Sequence, residues 1–360
     1  MIPYLGLNVV IAGLWIFSRL KETENCHICV GKRQLCTTQE MIRVMAVIIV
    51  ALFMGLRGPF TSDHKNYMGL FYETLQRSLS DIVTKRVYTE RGYLVFNKAI
   101  SIFTHDANVF MCIEAIVYIV AIMIVAKKSK CDDFLMFTLL FVNAGIYFQS
   151  FNMIRQAFAA CIVFSALKRL GDGNKRGYII LVLLATTIHT SSIIMLLALP
   201  LLQLRINLKN ELKMVCIGVA SLLSLGKVIE MVQKYRYANY SYGMGHGTIN
   251  AFLVQWAICI LVLIAIYNRQ VDVQDGQNIV LINSMWLYII SSVATLNVYQ
   301  MSRICYFFST PMLLLASNAI GTWPGKSGLF LRVGVVALLV LYSYVWLSGT
   351  GYDPYYTFFS

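Results

Sequence analysis

The sequence predicts an all-α, polytopic integral membrane protein with about 12 transmembrane helices, within a range of about 10 to 13. Three observations predict this class: 58% of the 360 residues are hydrophobic, only 13% are charged, and the mean hydropathy is +0.67. Soluble domains carry about 25% charged residues. Apolar stretches recur from one end of the chain to the other, which excludes a soluble domain held by a single anchor.

The predicted helices follow from these apolar stretches. Several are shorter than the roughly 20 residues of a comfortable crossing, and the region 176–204 alternatively forms one long span and an interfacial segment. The N-terminal stretch lacks the basic region and cleavage site of a signal peptide, so we expect a retained first span. The candidate spans are 1–18, 41–56, 107–126, 134–150, 154–170, 176–190, 192–204, 212–226, 249–267, 279–296, 302–320 and 329–348.

Lysine and arginine determine the predicted orientation. Twelve spans put both termini on one side of the membrane. Most of the 30 basic residues lie in short loops on the other side, from Arg19 to Arg332, and that side is therefore expected to be cytoplasmic. The remaining basic residues concentrate in 57–98 and 227–236, on the outer side. This outer excess needs another explanation, because orientation disfavours it.

The chain is predicted to form one membrane-embedded domain over 1–360 with two outer loops. The first loop, 57–106, contains an apolar segment at 93–104 that is too short to span. An interfacial or re-entrant helix is expected there. The second loop, 227–248, is basic and rich in tyrosine.

Unusual polar residues near the membrane boundaries all fall on the predicted outer side. Arg155 is the most informative, because a charge at membrane depth costs from a few to more than ten kcal/mol. Asp63 and Tyr67 share one face if their segment is helical, as do Glu90 and Tyr93. The candidate site residues are Arg57, Asp63, Tyr67, Glu90, Tyr93, Arg155, Gln156, His189, Arg303 and Tyr306.

Simpler interpretations of these residues stay open. Arg57 alternatively anchors a helix end by snorkelling, and His189 is alternatively a core histidine with satisfied hydrogen bonds. Asp63 and Glu90 are alternatively solvated loop carboxylates, or structural ion-pair partners of Arg155 and Arg303. The tyrosines are alternatively part of an aromatic belt.

The combination nevertheless favours one kind of chemistry. Arginines bind diphosphate oxygens bidentately, and tyrosine rings and hydroxyls suit sugars. A carboxylate or a histidine can take a proton from an attacking hydroxyl. Together these groups are suited to transferring a glycosyl group from a lipid diphosphate.

A metal site is not expected. The CHIC run at 26–29 and Cys36 have zinc-like content, but their spacing fits no standard site, so reduced thiols are expected. A divalent ion on Asp63 and Glu90 is the alternative, although several arginines can supply the positive charge instead.

The order of these segments resembles the EpsG-like polysaccharide polymerases, the Wzy-type proteins of O-antigen and exopolysaccharide clusters. The segments are LRGPFTSDHKNY, ERGY, FNMIRQAFA, IHTSS and SRICYFF, and they cover the chain from about residue 50 to 310. TSD at 61–63 departs from the family, which usually has a glycine before threonine and aspartate. The matching residues are Arg57, Asp63, Tyr67, Glu90, Gly92, Tyr93, Ile154, Arg155, Gln156, Ala159, His189, Ser191, Arg303, Tyr306 and Phe307.

The resemblance implies a glycosyltransferase with a GT-C-like fold, located in the bacterial inner membrane with its active site facing the periplasm. Such a polymerase transfers a growing glycan from undecaprenyl diphosphate to the non-reducing end of a lipid-linked repeat unit. A chain-length regulator and a flippase are the expected partners, and no cofactor or nucleic acid is expected.

Roles for the site residues follow from this chemistry as hypotheses. Arg155 and Arg303, assisted by Arg57, are expected to hold the diphosphate. Asp63 is the first choice for the base, followed by His189 and then Glu90, which alternatively orients an arginine. The residues expected to contact the glycan are Gln156, Tyr67, Tyr93 and Tyr306.

Three other classes of protein remain as alternatives. An O-antigen ligase shares the diphosphate chemistry, but its largest outer loop is expected late in the chain rather than at 57–92. A flippase or other transporter requires polar groups at the bilayer midplane. A receptor-like binding protein requires neither carboxylates nor arginines at this depth.

Overall fold

A computed structural model describes residues 1–20, 27–30, 33–61, 63–236, 252–298, 301–349 and 354–359, and α-helices dominate it. The helices are α1 (Ile2–Phe17), α2 (Thr38–Gly55), α3 (His64–Leu75), α4 (Leu79–Thr84), α5 (Arg91–Ile100), α6 (Ala107–Lys128), α7 (Phe134–Asn143), α8 (Ile146–Gln149), α9 (Ile154–Gly171), α10 (Lys175–Ile188), α11 (Ile194–Leu202), α12 (Leu208–Arg236), α13 (Leu253–Tyr267), α14 (Gly276–Asn297), α15 (Ser302–Gly321) and α16 (Gly325–Ser348). A 3₁₀ turn at Thr190–Ile193 precedes α11.

Each predicted span falls on helical structure. Within the described residues, five helices are long and apolar enough to cross a membrane, namely α2, α6, α14, α15 and α16. Shorter apolar helices include α1, α7 and α13. The protein is therefore a polytopic membrane protein, while the twelve crossings and the GT-C-like fold stay predictions.

Two local features differ from the sequence-based expectation. Residues His27–Val30 and Arg33–Thr37 pair as two short antiparallel strands, β1 and β2, a local exception in a chain that is helical as predicted. β-Branched Ile28 and Val30 favour a strand. In addition, α12 continues through Arg236, past the predicted end of its span at 226. Residues 237–248 of the second predicted loop lie outside the described part of the chain.

Local sequence signals set several helix starts. Thr37 and Glu40 form a capping box at the start of α2, with the Thr37 Oγ1 accepting from the Glu40 amide at 3.1 Å. Asp106 caps α6 by accepting from the Asn108 amide at 2.7 Å. Such caps satisfy amides that the first helical turn leaves without partners.

The predicted span 134–150 is interrupted at Gly145. This residue has a φ of 86°, a left-handed conformation that glycine adopts without strain. The chain therefore ends α7, makes the single turn of α8 and starts α9 at Ile154. As a result Arg155 lies in the first turn of a helix.

The chain forms two compact units. The first comprises Met1–Cys161, Leu184–Thr190 and Pro324–Ser360; the second comprises Ile162–Leu183 and Ser191–Trp323. In the second unit, α15 is almost completely buried and packs against α13 and α14. The Gln277 side chain there donates to the Lys168 carbonyl at 2.8 Å and to Asp172 at 2.7 Å. The single domain predicted over 1–360 stays a prediction.

The first unit has two chemically distinct ends. At one end the Tyr4 ring lies 5.6 Å from the Tyr355 ring, between centroids, and Arg57 contacts residue 151. At the other end Arg19 pairs with Asp133, and a cavity beside them is lined also by Arg43 and Asp132. We call these the Arg57 end and the Arg19 end. Tyr4 and Tyr355, which lie near the two ends of the chain, are therefore both at the Arg57 end, while the side of the membrane on which they lie stays a prediction.

Candidate functional site

Helix termini bring the candidate site residues of the first unit together. Asp63 and Glu90 are the residues immediately before α3 and α5. Arg155 lies in the first turn of α9, and His189 follows the last residue of α10. The segment ERGY, the start of IRQ and the residues IHT of IHTSS therefore meet at one place, although Arg155 and Thr190 lie 65 and 100 positions after Glu90.

The Glu90 carboxylate lies at the centre of this cluster. Its Oε2 accepts from Arg155 Nη1 at 2.5 Å. Its Oε1 accepts from the Thr190 amide at 3.2 Å and from the Thr190 hydroxyl at 3.3 Å. His189 Nδ1 lies 3.4 Å from the same oxygen. One carboxylate thus organises groups from two other segments of the chain.

These contacts keep Glu90 ionised. Burial raises the pKa of this carboxyl group, but the His189 side chain and the positive charge of Arg155 outweigh burial and lower the pKa to about 2. A carboxylate with so low a pKa is a weak proton acceptor at neutral pH. Glu90 is therefore better suited to orienting Arg155 and His189 than to acting as the base.

Gly92 explains how the start of α5 approaches the end of α10 so closely. A Cβ atom at residue 92 would lie 2.3 Å from Thr187 Oγ1 and 2.7 Å from the Thr187 carbonyl oxygen. No side chain fits this space without moving the backbone of one helix. The glycine of ERGY therefore allows Glu90 to reach Thr190.

Two tyrosine rings lie near Arg155, in addition to its ion pair with Glu90. The guanidinium carbon of Arg155 lies 6.0 Å from the centroid of the Tyr67 ring, and the Tyr67 and Tyr93 rings meet edge to face at 6.0 Å. The Tyr93 hydroxyl donates to Glu114 Oε1 at 2.8 Å. Burial raises the pKa of both tyrosines, so both stay neutral. Their predicted role in lining a glycan path stays a prediction, since both rings are buried.

Arg57 is buried rather than extended toward a membrane surface. It is only 1% exposed, and its guanidinium donates to the Met54 carbonyl at 2.6 Å and to the Phe151 carbonyl at 3.5 Å. It also lies 4.9 Å above the Phe151 ring. Arg57 therefore satisfies carbonyl groups where α2 ends, and its predicted part in holding a diphosphate stays a prediction.

Asp63 lies on the partly exposed edge of the same region. Asn66 Nδ2 approaches its Oδ1 at 3.5 Å, and its amide donates to Asn152 Oδ1 at 3.4 Å. The neighbouring His64 is buried; burial and the charge of Arg57 lower its pKa to about 3. His64 is therefore neutral, which leaves Asp63 as the ionisable group of this pair that faces outward.

Comparison with known proteins provides the family. The model of the EpsG family matches residues 40–360. The chain belongs to the EpsG family. No curated protein and no solved structure matches the chain. The matched region includes every candidate site residue from Arg57 to Tyr306, and the membership indicates a polysaccharide polymerase-like membrane protein.

Three further predicted residues of this EpsG-family protein differ from those of the cluster in burial or in the unit to which they belong. Gln156 follows Arg155 but is only 3% exposed. Arg303 and Tyr306 belong to the second unit, where Arg303 is exposed in the first turn of α15 and Tyr306 is buried. Their predicted roles in binding diphosphate and glycan stay predictions.

Sequence reasoning missed two residues that this EpsG-family protein places in the cluster. Thr190 lies between two residues that were singled out, and its contribution depends on a backbone amide, which no side-chain pattern reveals. Glu114 is only 1% exposed within α6. The signal was present, because a lone acid in an apolar span is by default a functional candidate.

Among the described residues, no group of three or more His, Cys, Asp or Glu side chains could hold a metal ion. The CHIC run begins at Cys26, which lies outside the described residues, as do the side chains of residues 27–29 and Cys36.

Proposed function

We propose that this EpsG-family protein is a polysaccharide polymerase of the O-antigen type. It transfers the growing glycan from undecaprenyl diphosphate to the non-reducing end of a lipid-linked repeat unit, on the periplasmic face of the bacterial inner membrane. The observation that carries the proposal is the cluster in which Glu90 contacts both Arg155 and His189. A chain-length regulator would set product length, and a flippase would supply the substrate.

Arg155 is proposed to bind the donor diphosphate. Glu90 engages Nη1, and the Arg155 side chain is still 31% exposed, so part of the guanidinium faces outward. An arginine has five N–H donors and can therefore bind phosphate oxygens while keeping its ion pair. The start of α9 adds the positive end of a helix dipole. Together these groups stabilise the negative charge that develops on the leaving diphosphate.

His189 is proposed to accept the proton from the acceptor hydroxyl. Because Nδ1 faces Glu90 Oε1 at 3.4 Å, the carboxylate favours the tautomer with the proton on Nδ1. Nε2 is then the basic nitrogen. Among the three candidate bases, the low pKa of Glu90 disfavours it, whereas the Glu90 carboxylate orients the His189 ring. Asp63 is the second candidate, from the exposed edge of the region.

The test is complementation of a strain that lacks this protein. The wild-type gene is expected to restore a ladder of surface glycan on a gel. Arg155→Ala is expected to reduce polymer at least about 100-fold, the usual effect of losing one group that stabilises developing charge, and to leave material capped by a single repeat unit. Arg91→Ala is the matched control, because Arg91 is the exposed arginine next to Glu90, and it should restore the full ladder.

Two results would contradict the proposal, after immunoblotting has shown equal amounts of each variant in the membrane. A null strain with no repeat unit attached would indicate loss of ligation or flipping instead of polymerisation. A full ladder from Arg155→Ala would remove Arg155 from the reaction.

A further inference from the structure

The C-terminal residues 354–359 pack against the chain just before Asp63. Thr357 forms an antiparallel bridge with Arg57. The Gly58 amide donates to the Tyr356 carbonyl at 2.8 Å, and the Phe358 amide donates to the Leu56 carbonyl at 3.2 Å. Backbone hydrogen bonds therefore fix this segment although it is not helical.

The aromatic side chains of this segment form an ordered cluster with the chain that they contact. Tyr355 stacks on Phe53 at 4.4 Å between ring centroids, and its hydroxyl donates to the Phe53 carbonyl at 2.7 Å. The Phe60 ring lies 5.6 Å from Tyr355 and 5.5 Å from Tyr356. Tyr355 thus anchors the segment, and Tyr356 is the more exposed neighbour at 38%.

Gly58 makes room for the exposed ring. A Cβ atom at this position would lie 2.4 Å from two carbon atoms of the Tyr356 ring. The ring therefore lies directly against the backbone of residue 58, where no side chain separates them. A ring held in this way loses little conformational freedom when a ligand binds.

We propose that the exposed Tyr356 ring, supported by Phe60 at an interplanar angle of 64°, forms a sugar-binding platform that receives the glycan beside Asp63. This inference rests on the proposed function for the identity of its ligand. The C–H groups on one face of a pyranose ring carry partial positive charge and pack on the negative face of an aromatic ring. Asp63 follows Phe60 by three residues, and its carboxylate oxygens are acceptors suited to sugar hydroxyls.

The position of the platform favours a glycan over a lipid as its occupant. Residues 61 and 62 alone separate Phe60 from Asp63 in sequence. Tyrosines of an aromatic belt anchor membrane spans at the lipid interface. Tyr356, in contrast, belongs to a non-helical segment that backbone hydrogen bonds tie to the chain leading into Asp63.

The experiment measures binding of an oligosaccharide of one repeat unit, prepared from the organism's own surface polysaccharide, to the purified full-length protein in detergent. Saturation-transfer NMR and titration calorimetry are the readouts, and neither requires turnover. Tyr356→Ala is expected to weaken binding up to about tenfold, the effect of losing one aromatic contact. Tyr356→Phe keeps the ring and should bind within about threefold of wild type.

Tyr88→Ala is the matched control, since Tyr88 is fully exposed and lies in the predicted first outer loop, which also contains Phe60. This variant should bind the oligosaccharide like wild type. Gly58→Ala should displace the Tyr356 ring and reproduce the loss. Equal thermal melting of the variants in detergent would confirm that they are folded. Wild-type affinity in Tyr356→Ala would overturn the inference, as would failure of the wild-type protein to bind the oligosaccharide.

The two proposals fail separately. Loss of the ladder in Arg155→Ala together with normal binding by Tyr356→Ala would remove the platform and keep the polymerase. Binding that depends on Tyr356, in a protein whose absence leaves the ladder intact, would keep the platform as a glycan site and remove the polymerase.

Discussion

The two ends of the first unit each contain an arginine–carboxylate pair, and the pairs differ in what the carboxylate does for its own helix. Asp133 caps α7, with Oδ1 accepting from the Met136 amide at 3.1 Å. Its Oδ2 accepts from Arg19 and from the Trp15 indole. Glu90 stands in the equivalent position before α5 but makes no side-chain cap. It contacts Arg155, His189 and Thr190 instead.

The difference separates a structural pair from a candidate functional pair. A cap stabilises a helix by about 0.5–2 kcal/mol, and Asp133 has this role. Glu90 gives up that contribution and holds side chains from distant segments in a fixed arrangement. Residues that depart from a local structural rule are often found at functional sites.

The largest expected effect tests the difference between the Glu90 and Asp133 carboxylates. Glu90→Gln removes the charge that orients Arg155 and His189 and is expected to lower polymer formation about 100-fold, with the protein still folded. Asp133→Ala is expected to lower the free energy of unfolding by about 1–2 kcal/mol and to leave polymer formation per folded molecule within about threefold of wild type.

Gel analysis of surface glycan and thermal melting in detergent measure these two effects. Similar losses of polymer per folded molecule in both variants would mean that the two pairs do not differ in function.

A smaller effect is expected at the hydrogen bond between Tyr93 and Glu114. Tyr93→Phe removes the hydroxyl that donates to Glu114 and leaves a buried carboxyl group without that partner, which costs about 1–3 kcal/mol. Thermal melting should fall accordingly, and Glu114→Gln, which still accepts from Tyr93 through its carbonyl oxygen, should be less destabilised. Tyr72→Phe removes an exposed hydroxyl from α3 and serves as the control. Equal melting of Tyr93→Phe and Tyr72→Phe would show that the hydrogen bond contributes nothing.

The smallest effect concerns pH. The pKa of Glu90 is about 2, below its ordinary value of 4.5. A carboxyl group whose pKa is lowered by folding contributes stability above its unfolded pKa and loses that contribution as pH falls through the folded pKa. The difference in melting temperature between wild type and Glu90→Gln should therefore be constant from pH 8 to about 5 and shrink from about 4.5 toward 2.

Glu73→Gln is the matched control for that experiment, because Glu73 pairs with Arg77 on an exposed helix surface. Exposed pairs contribute about 0–1 kcal/mol, so its melting curve should follow wild type throughout. A difference for Glu90→Gln that shrinks already between pH 8 and 6 would contradict the low pKa of Glu90.

Hydropathy was sufficient to predict where the helices lie, because burial in a bilayer requires apolar residues in long runs. The charge pattern grouped Glu90, Arg155 and His189 on one predicted side of the membrane, and the structure shows these three residues in contact. The ion pair between Glu90 and Arg155 was one of two open interpretations, and only the three-dimensional structure shows which oxygen contacts which nitrogen.

Contacts between segments that are distant in the chain could not be predicted from the sequence. Tyr355 donates to the carbonyl of Phe53, 302 residues earlier, and no periodic pattern reports such a pairing. Thr190 acts through its backbone amide, which every non-proline residue possesses. The strands His27–Val30 and Arg33–Thr37 were missed because they are short and lie between two predicted spans, where a basic loop is expected.

The contact between Tyr4 and Tyr355 has a consequence for counting membrane crossings. The two ring centroids lie 5.6 Å apart in the first unit. If both rings are on one side of the membrane, the chain between them makes an even number of crossings, as the predicted twelve do. Under that condition the number of crossings stays even when the predicted spans are revised. If a segment in 176–204 proves interfacial, one crossing is removed, and a second segment must then gain or lose a crossing.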